Sequence, residues 1–259
     1  MQDKLRTGVQ AQTPASDFIV VDFDGTLAAA DIGNQFFHRF AQDENCWQEI
    51  IDDWNGERVT ARQCLARECA LARVEQTQAL TFFDSFDLEE DAVDFVAAAR
   101  LAGHEVTIAS DGLELYVSRL LKRAGLDVRY SANGLRFEGE ILMPEFASLG
   151  PDIPMPDGRL AQPREGAGPG CGSCGNCKGE ILRRAKAESP DRRTILVGDG
   201  YSDRCAAQVA DVVYAKDDLL SYCFDKRLTA RAFTRLGDVA VAEGWQWPRD
   251  RVGGTAAPK

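Results

Sequence analysis

Hydrophobic and polar positions change period repeatedly along this chain, and the changes predict the order of its elements. Short continuous apolar runs, which are typical of strands buried on both faces, end in polar residues at Asp22, Ser110 and Asp199. Between these runs, apolar residues recur every three or four positions, as on one face of a helix. Strands that alternate with helices in this way predict a mostly parallel sheet with helices on both faces.

A block of helical periodicity follows the first strand, which we expect at roughly residues 17–22. Residues 44–83 continue that periodicity and carry no convincing strand pattern. We therefore predict an α/β protein with a small helical cap domain, residues 31–87, inserted after the first strand. Residues 17–30 and 88–243 would form a Rossmann-like three-layer α/β/α core around a parallel sheet.

Other segments are predicted to be irregular or to form a hairpin. Residues 1–16 and 244–259 lack periodicity and are expected to be a flexible N-terminal arm and a flexible C-terminal tail. Residues 150–170 contain five prolines and five glycines and predict a surface loop, within a Gly/Pro/Cys-rich loop of the core at 147–177. Residues 133–146 predict a small hairpin.

Composition and charge narrow the class of partner. At 259 residues the chain can bury a substantial core, and its net charge of −11, from 41 acids and 30 bases, disfavours a nucleic-acid partner. The negative net charge does not exclude an anionic small substrate, because the local charge at the site and a bound metal determine whether such a substrate binds. No apolar run reaches the length of a membrane span, and the first residues lack the apolar core of a secretory signal. We expect no membrane partner and a cytoplasmic location with reduced cysteines; the sequence does not give the oligomeric state.

Two carboxylates, Asp22 and Asp24, follow the first predicted strand and precede Gly25 and Thr26. Acids at the carboxyl end of a buried strand are typical of α/β active sites. An isolated Asp-x-Asp is more often a turn that caps the next helix. Together with three further features expected at the same edge of the sheet, the pair indicates a nucleophile, Asp22, and its acid/base partner, Asp24.

Two of these further features suit a phosphoryl group. Ser110 ends the next buried run, and its hydroxyl with the following backbone N–H groups suits a phosphate oxygen, although such a Ser alone would be a helix N-cap. Lys178 begins a helix and could offset the charge of a carboxylate that faces a phosphoryl group, although a lone Lys is usually a solvated surface residue.

The last feature is a second pair of acids, Asp199 and Asp203, after another buried run. Mg²⁺ prefers one or two carboxylates together with waters and substrate phosphate. Asp22, a carbonyl near Asp24 and Asp199 could provide that set. In isolation the pair would be a helix cap, with Asp203 favoured by the helix dipole.

These residues, in this order, resemble the four motifs of the haloacid dehalogenase superfamily, over about residues 20–225. The resemblance implies that fold, a Mg²⁺ cofactor and an aspartyl-phosphate formed on Asp22. It also implies that Asp24 protonates the leaving alcohol and then activates water. The two-Asp form resembles the phosphatases of the superfamily. The implied metal ligands are Asp22, Asp24, Asp199 and Asp203. The implied substrate contacts are Thr26, Asp31, Ser110, Asp111, Gly112 and Lys178.

Two narrower resemblances concern the substrate. The helical insert resembles the type-one cap of phosphoserine phosphatase, in which an acid that binds substrate stands at the position of Asp31. The segments 174–178 and 211–220 resemble the methionine-salvage group of phosphatases, which acts on 2-hydroxy-3-keto-5-methylthiopentenyl-1-phosphate. We expect Mg²⁺-dependent hydrolysis of a small phosphate ester of that kind. The alternatives are phosphoserine phosphatase or another small-metabolite phosphatase, and a non-catalytic phospholigand-binding or regulatory protein on the same fold.

Three cysteines, Cys171, Cys174 and Cys177, follow one another at intervals of three residues. This close spacing has three possible interpretations. They could belong to a reduced turn rich in small residues. They could hold a structural metal, which would need a fourth ligand such as Cys205 or Cys223. A pair of them could also be redox-active.

Overall fold

A single mixed sheet of nine strands forms the centre of the part described, residues 16–247 of a computed structural model. The strands are β1 (Phe18–Val21), β2 (Glu105–Leu113), β3 (Arg129–Glu138), β4 (Ile141–Ser148), β5 (Ile153–Pro154), β6 (Leu160–Gly168), β7 (Thr194–Gly198), β8 (Val212–Ala215) and β9 (Arg231–Ala232). Their order across the sheet is β5-β6-β4-β3-β2-β1-β7-β8-β9. Neighbouring strands run parallel except in the pairs β3 with β4 and β5 with β6.

Helices cover this sheet on both faces. The α-helices of the described residues are α1 (Ile32–Phe40), α2 (Glu44–Asn55), α3 (Ala61–Leu71), α4 (Gln76–Phe83), α5 (Ala92–Leu101), α6 (Glu114–Arg123), α7 (Lys178–Glu188), α8 (Arg204–Ala207), α9 (Asp217–Asp225) and α10 (Leu236–Ala242). Of these, α5, α6 and α10 pack on one face of the sheet and α7, α8 and α9 on the other. The predicted α/β class, with its mostly parallel sheet, is confirmed. Within residues 16–247, no helix combines the length and apolarity that crossing a bilayer would require.

The central strand β1 shows why the apolar run of the sequence is continuous. Ile19 and Val21 pack into one core cluster with residues of α5, α6 and α10, whereas Phe18 and Val20 pack into a second cluster with residues of α7, α8 and α9. All four side chains are buried. Each such burial stabilises the fold by roughly 1.5–3 kcal/mol, so β1 is held firmly from both sides.

The prediction of an irregular surface loop at residues 150–170, within 147–177, is wrong in part. Residues 160–168 form strand β6, which pairs with β4 in parallel and places Pro163 opposite Phe146. Proline is tolerated in strands near a sheet edge because it need not donate to a second neighbour. The predicted hairpin is present, but its first arm is longer than expected, since β3 runs without a break from Arg129 to Glu138.

The helices α1–α4 occupy the segment predicted to be a cap. The chain enters and leaves this segment side by side, because Ala28 and Leu88 form an antiparallel bridge and the Glu89 amide donates to the Leu27 carbonyl over 2.8 Å. The division into a cap at 31–87 and a core stays a prediction. The predicted flexible arm and tail fall, at 1–15 and 248–259, outside the described residues.

Arg62 of α3 connects the helical segment to the sheet. Its side chain is fully buried, and its guanidinium lies 3.9 Å from the ring centre of Phe146. Nη1 donates to the carbonyl of Ser148 over 2.9 Å, and Nη2 donates to the carbonyl of Pro151 over 2.9 Å. A buried carbonyl without a donor is costly, so this one side chain fixes how α3 sits on β4.

Replacing Arg62 by Met should therefore lower the free energy of unfolding by about 2–4 kcal/mol, because the buried carbonyl of Ser148 and the partly buried carbonyl of Pro151 lose their donor while the contact with Phe146 is kept. Urea unfolding monitored by circular dichroism measures this. Arg67→Met on the same helix is the matched control. It removes a solvent-screened pair with Asp53 and should leave the stability nearly unchanged. Equal losses in the two variants would contradict the account.

Candidate active site

Asp22 lies directly after β1, at the middle of the sheet. β1 is flanked by β2 and β7, with Val21 opposite Ile108 on one side and Val197 on the other. The parallel register therefore brings the ends of three strands to one edge, as the sequence predicts for Asp22, Ser110 and Asp199. The Asp22 side chain is only 6% exposed, and its Oδ1 accepts a hydrogen bond from the Phe23 amide at 2.7 Å.

Lys178 joins Asp22 to Asp203. Its Nζ lies 2.6 Å from Asp22 Oδ1 and 2.7 Å from Asp203 Oδ1, and it donates to Ser202 Oγ over 2.8 Å. The side chains of Lys178 and Asp203 have no solvent exposure. The second oxygen of Asp203 accepts from the amides of Asp199 and Gly200, each at 3.2 Å. The ammonium is thus fixed by three oxygens that belong to two separate strand ends.

Electrostatics in this group are set by burial and by an excess of acids. Burial and the carboxylate of Asp203 raise the pKa of Asp22 well above its usual value, and the ammonium of Lys178 opposes that rise. Burial alone would lower the pKa of Lys178, but Asp203 and Asp22 outweigh it and hold that pKa above its usual value. Lys178 is therefore charged at neutral pH. The Asp22 carboxylate gains from any further positive charge placed beside it.

Asp24 is held by a different set of donors. Its Oδ1 accepts from the Ile32 amide at 2.9 Å, and its Oδ2 accepts from Tyr116 Oη at 2.6 Å and from Ser110 Oγ at 3.1 Å. Burial raises the pKa of Asp24 to about 7, and the carboxylate of Asp31 adds to the rise while the hydrogen bonds oppose it. An acid with a pKa near neutrality can both give and take a proton at pH 7.

Ser110 lies inside β2 rather than at its end, and it is fully buried. Besides donating to Asp24, its Oγ accepts from the Gly112 amide at 2.9 Å. Asp111 Oδ1 accepts from the amide of Asn176 at 2.7 Å, while Asp111 Oδ2 is buried and has no hydrogen-bond partner among residues 16–247. A Cβ at Gly112 would collide with Tyr116 Oη, so only glycine fits there beside Asp24.

Asp199 faces Asp22 from the neighbouring strand end. Its Oδ1 accepts from Thr26 Oγ1 at 2.5 Å. Burial raises the pKa of Asp199 to about 6, Asp203 adds to this and the Thr26 hydroxyl opposes it. Gly25 has φ +71°, and a Cβ there would collide with the Asp199 carboxylate. The tight turn after Asp24 thus depends on glycine, and it lets Asp199 approach β1.

A cavity of about 420 Å³ opens onto these carboxylates. Asp31, which caps α1 by accepting from the Asn34 amide, lies on its wall, and the rings of Trp54 and Tyr201, which also line the cavity, contact each other with centres 4.2 Å apart. Its apolar lining comes from the helical segment: Phe37, Ile51, Trp54, Ala61 and Leu65. Within the described chain, no Arg or Lys side chain lines this cavity.

Three contributors to the site are absent from the sequence-based prediction. Tyr116 lies on the buried face of α6, and its hydroxyl binds Asp24. Asn176 donates its side-chain amide to the carbonyls of Ser110 and Ser131 and so ties the segment before Lys178 to β2 and β3. Glu68 of α3 lines the cavity, and burial, with a smaller effect of Asp31, raises its pKa to about 8. Only Asn176 had a local signal, because it lies between two cysteines of a segment already singled out.

Replacing Lys178 by Met should lower the free energy of unfolding by about 3–5 kcal/mol, because two buried carboxylates lose the ammonium that pairs with both of them. The loss should be larger at pH 8 than at pH 5. Without Lys178 the pKa of Asp22 rises further, so the folded state takes up a proton at the lower pH and keeps an unpaired charge at the higher one.

Urea unfolding at both pH values tests this, with Lys186→Met on the same helix as the control. Lys186 pairs with Asp211 at 2.9 Å in a half-exposed position, where replacement should have little effect. A Lys178→Met variant as stable as the control at pH 8 would contradict the pairing.

Comparison with known proteins shows what this chain is similar to. The sequence profile of the haloacid dehalogenase-like hydrolase family matches residues 19–152. A 2-hydroxy-3-keto-5-methylthiopentenyl-1-phosphate phosphatase of Geobacillus thermodenitrificans (strain NG80-2) is 28% identical over 220 residues, which are 84% of this chain and 91% of that protein. A phosphatase of the same name from Bacillus velezensis (strain DSM 23117 / BGSC 10A6 / LMG 26770 / FZB42) is 25% identical over 248 residues, or 93% of this chain and 97% of that protein.

Solved structures share the fold at lower identity. A phosphoserine phosphatase structure described as a phospho-aspartyl intermediate analogue superposes with a TM-score of 0.63 at 19% identity, over 88% of this chain and 99% of that one. Phosphoserine phosphatase from T. onnurineus gives a TM-score of 0.60 at 16% identity, over 91% of this chain and 98% of that one. The family profile covers more than half of the chain. The chain belongs to the haloacid dehalogenase-like hydrolases.

Proposed function

We propose that the protein is a Mg²⁺-dependent phosphomonoester hydrolase, which works in the cytoplasm on a small metabolite through an aspartyl-phosphate on Asp22. The observation that carries the proposal is that Asp22 and Asp24 have different bonding partners. Asp22 is paired with a buried ammonium, whereas Asp24 is bound by hydroxyls and an amide and has a pKa of about 7. A nucleophile and an acid/base need this difference of environment.

The proposed first step forms a bond from Asp22 to phosphorus and breaks the bond from phosphorus to the ester oxygen. Asp22 Oδ1 already accepts from Phe23 and Lys178, so Oδ2 is the oxygen left for the attack. Asp24 gives its proton to the leaving alcohol oxygen as that bond breaks. The charge of Lys178 beside Oδ1 offsets the repulsion between the carboxylate and the phosphoryl group.

The proposed second step returns the site to its starting state. Asp24, now ionised, takes a proton from a water that attacks phosphorus, and the bond between phosphorus and Asp22 breaks. Inorganic phosphate leaves, Asp22 is a carboxylate again and Asp24 is protonated. The hydrogen bonds from Ser110, Tyr116 and the Ile32 amide stabilise the ionised form of Asp24 between the two steps.

The carboxylates at the two strand ends fit a hard divalent cation. Oxygens of Asp22, Asp199 and Asp203 all lie within 4.8 Å of one another. Around Mg²⁺, with oxygens at about 2.1 Å, neighbouring ligands are about 3 Å apart and opposite ones about 4.2 Å. Burial, together with the neighbouring carboxylate of Asp203, raises the pKa values of Asp22 and Asp199, and this buried group of acids also favours a further cation. When bound, Mg²⁺ would supply charge to hold the phosphoryl oxygens and to stabilise ionised Asp22.

The proposed ligands are Asp22, Asp199 and the carbonyl near Asp24. Thr26 would orient Asp199 for that role through its short hydrogen bond. That Asp203 is a direct ligand stays a prediction. Both of its oxygens already accept hydrogen bonds, one from Lys178 and the other from the amides after β7, and these contacts suit a residue that fixes the lysine and the loop.

The cavity supports a substrate with an apolar tail and no carboxylate. Its wall from the helical segment is largely apolar, and it carries no basic side chain within the described residues that could pair with the carboxylate of phosphoserine. A methylthio group and a neutral keto-enol, which are parts of the substrate named for the relatives in Geobacillus and Bacillus, suit this wall. Glu68, with a pKa of about 8, is mostly protonated at pH 7 and can donate a hydrogen bond to a substrate oxygen. We therefore propose 2-hydroxy-3-keto-5-methylthiopentenyl-1-phosphate or a close analogue as the substrate.

Steady-state phosphate release from that compound, phosphoserine, sugar phosphates, pyridoxal phosphate and p-nitrophenyl phosphate tests the proposal. We expect Mg²⁺-dependent turnover with kcat/KM for the methylthio compound highest and that for phosphoserine at least tenfold lower. Asp22→Asn should abolish release from every compound while the circular dichroism spectrum is kept. Asp127→Asn, an exposed residue after α6, is the control with unchanged rates.

Turnover of p-nitrophenyl phosphate by Asp22→Asn at the wild-type rate would refute the mechanism. Absence of Mg²⁺-dependent release across the whole panel would instead favour a phospholigand-binding or regulatory protein. A preference for phosphoserine would refute only the substrate assignment.

Replacing Tyr116 by Phe should move the basic limb of the pH profile of kcat/KM to higher pH by about one unit. The phenol hydrogen bond lowers the pKa of Asp24, so its loss raises that pKa above 7, and the protonated acid persists to higher pH. Initial rates between pH 5 and pH 9 measure the shift. Tyr222→Phe, on α9 outside the cavity lining, is the control. A lower rate with an unshifted profile would show that Tyr116 acts only on packing.

A further inference from the structure

Four of the eight cysteines meet outside the proposed active site. Cys171, Cys174 and Cys177 come from the segment before α7, and Cys205 comes from α8. Their Sγ atoms all lie within 4.8 Å of one another, with 3.4 Å between Cys171 and Cys174 and 3.8 Å between Cys177 and Cys205. Cys223, the other residue that the sequence allows as a fourth member, is not part of this group.

The spacing of the sulfurs matches a mononuclear tetrahedral site. With metal–sulfur bonds of ~2.3 Å, the corners of a tetrahedron are ~3.8 Å apart. A disulfide would require sulfurs ~2.05 Å apart, and all four cysteines are free thiols here. Four sulfurs that all lie within 4.8 Å of one another also leave too little room between them for the several irons and sulfides of a polynuclear cluster.

The surroundings of the cysteine group supply positive charge and an amide donor. The guanidinium of Arg62 interacts electrostatically with Cys171 and Cys174, and that of Arg183 interacts with Cys177 and Cys205. The backbone amide of Cys174 points at Cys171 Sγ over 3.5 Å. Four thiolates around a divalent ion carry a net charge of −2, and nearby cations and amide donors stabilise that charge.

We propose that Cys171, Cys174, Cys177 and Cys205 bind one structural zinc ion. Zinc has no geometric preference of its own and is held by four thiolates in closed, tetrahedral structural sites. Binding releases the protons of the four thiols to solvent, and no oxidant or reductant is required. With four sulfur ligands the ion has no open position, so it takes no part in the chemistry of the cavity.

The place of the zinc in the chain gives it a positioning role. Cys177 is the N-cap of α7 and directly precedes Lys178, whereas Cys205 lies two residues after Asp203. One ion would therefore tie together the two segments that carry the two ends of the Lys178–Asp203 ion pair. The carbonyl of Ser173, between the first two cysteines, accepts from the Arg62 amide, so the same loop also contacts the start of α3.

Metal analysis of the wild-type protein is the primary test, because it needs no variant that could fail to fold. We expect about one zinc per chain by mass spectrometry of the purified, reduced protein, and X-ray absorption at the zinc edge should give about four sulfurs at ~2.3 Å. Cobalt substituted for zinc should show the thiolate charge-transfer and d–d bands of a tetrahedral site.

Variants locate the zinc on this chain. Cys171→Ser and Cys205→Ser should each weaken zinc binding at least tenfold in competition with a chromophoric chelator. Cys46→Ser removes an exposed cysteine of α2 and should bind zinc as the wild type does. Removing zinc from the wild type should lower the midpoint of thermal unfolding, and the same treatment should leave Cys171→Ser nearly unchanged.

Four outcomes would overturn the proposal. They are less than about a tenth of a zinc per chain after reconstitution under reducing conditions, a zinc shell of oxygen and nitrogen only, zinc affinity unchanged in both cysteine variants, and a Cys171–Cys174 disulfide in the protein as purified. One iron per chain in a four-sulfur shell would refute the identity of the ion. Because none of these readouts measures hydrolysis, a failure here is distinct from a failure of the proposed activity.

Discussion

The ammonium of Lys178 lies between the carboxylates of Asp22 and Asp203 without solvent access, and the site depends on that contact. Asp22 ends β1, Asp203 follows β7, and Lys178 begins a helix that arrives from an edge of the sheet. Three remote segments therefore have to meet within less than 3 Å. A buried ammonium with two acids is tolerable only if each carboxylate has a further donor, which the amide of Phe23 provides for Asp22 and the amides of Asp199 and Gly200 provide for Asp203. The acids still outnumber the cation, so the site favours a metal and an anionic substrate.

Much of the fold and of the site is predictable because the central strands carry their own local signal. A strand buried on both faces is a continuous apolar run, and Asp22 and Asp199 stand directly after two such runs. Strand β6 lacks that signal, because a position near the sheet edge admits Pro163 and two glycines, Gly166 and Gly168. Tyr116 was not predictable for another reason, since a tyrosine on an apolar helix face looks like core until the helix is placed against Asp24. Likewise, only the packing of α8 against α7 selects Cys205 over Cys223 as the neighbour of Cys177.

The helical segment and the cysteine group contact the segments that surround the Lys178 ion pair and the cavity. Arg62 fixes α3 to β4, and α3 supplies Leu65 and Glu68 to the cavity wall, so the shape of the proposed substrate pocket follows from that buried guanidinium. The proposed zinc would hold the residues next to Lys178 and Asp203 in place, and the loop that carries three of its ligands also contacts α3 through the Ser173 carbonyl. The short loop before α7 thus contacts the start of α3 at one point and leads directly into Lys178.

Whether Asp22 becomes phosphorylated is the central claim, and chemical trapping of the intermediate tests it most directly. An acyl phosphate is reduced by borohydride, which converts the aspartate that carried it into homoserine. Enzyme quenched during turnover of a good substrate, reduced, digested and analysed by mass spectrometry should show homoserine at position 22, and none when substrate is omitted. Phosphate release at the normal rate with Asp22 unmodified, or with homoserine at another aspartate, would contradict the account.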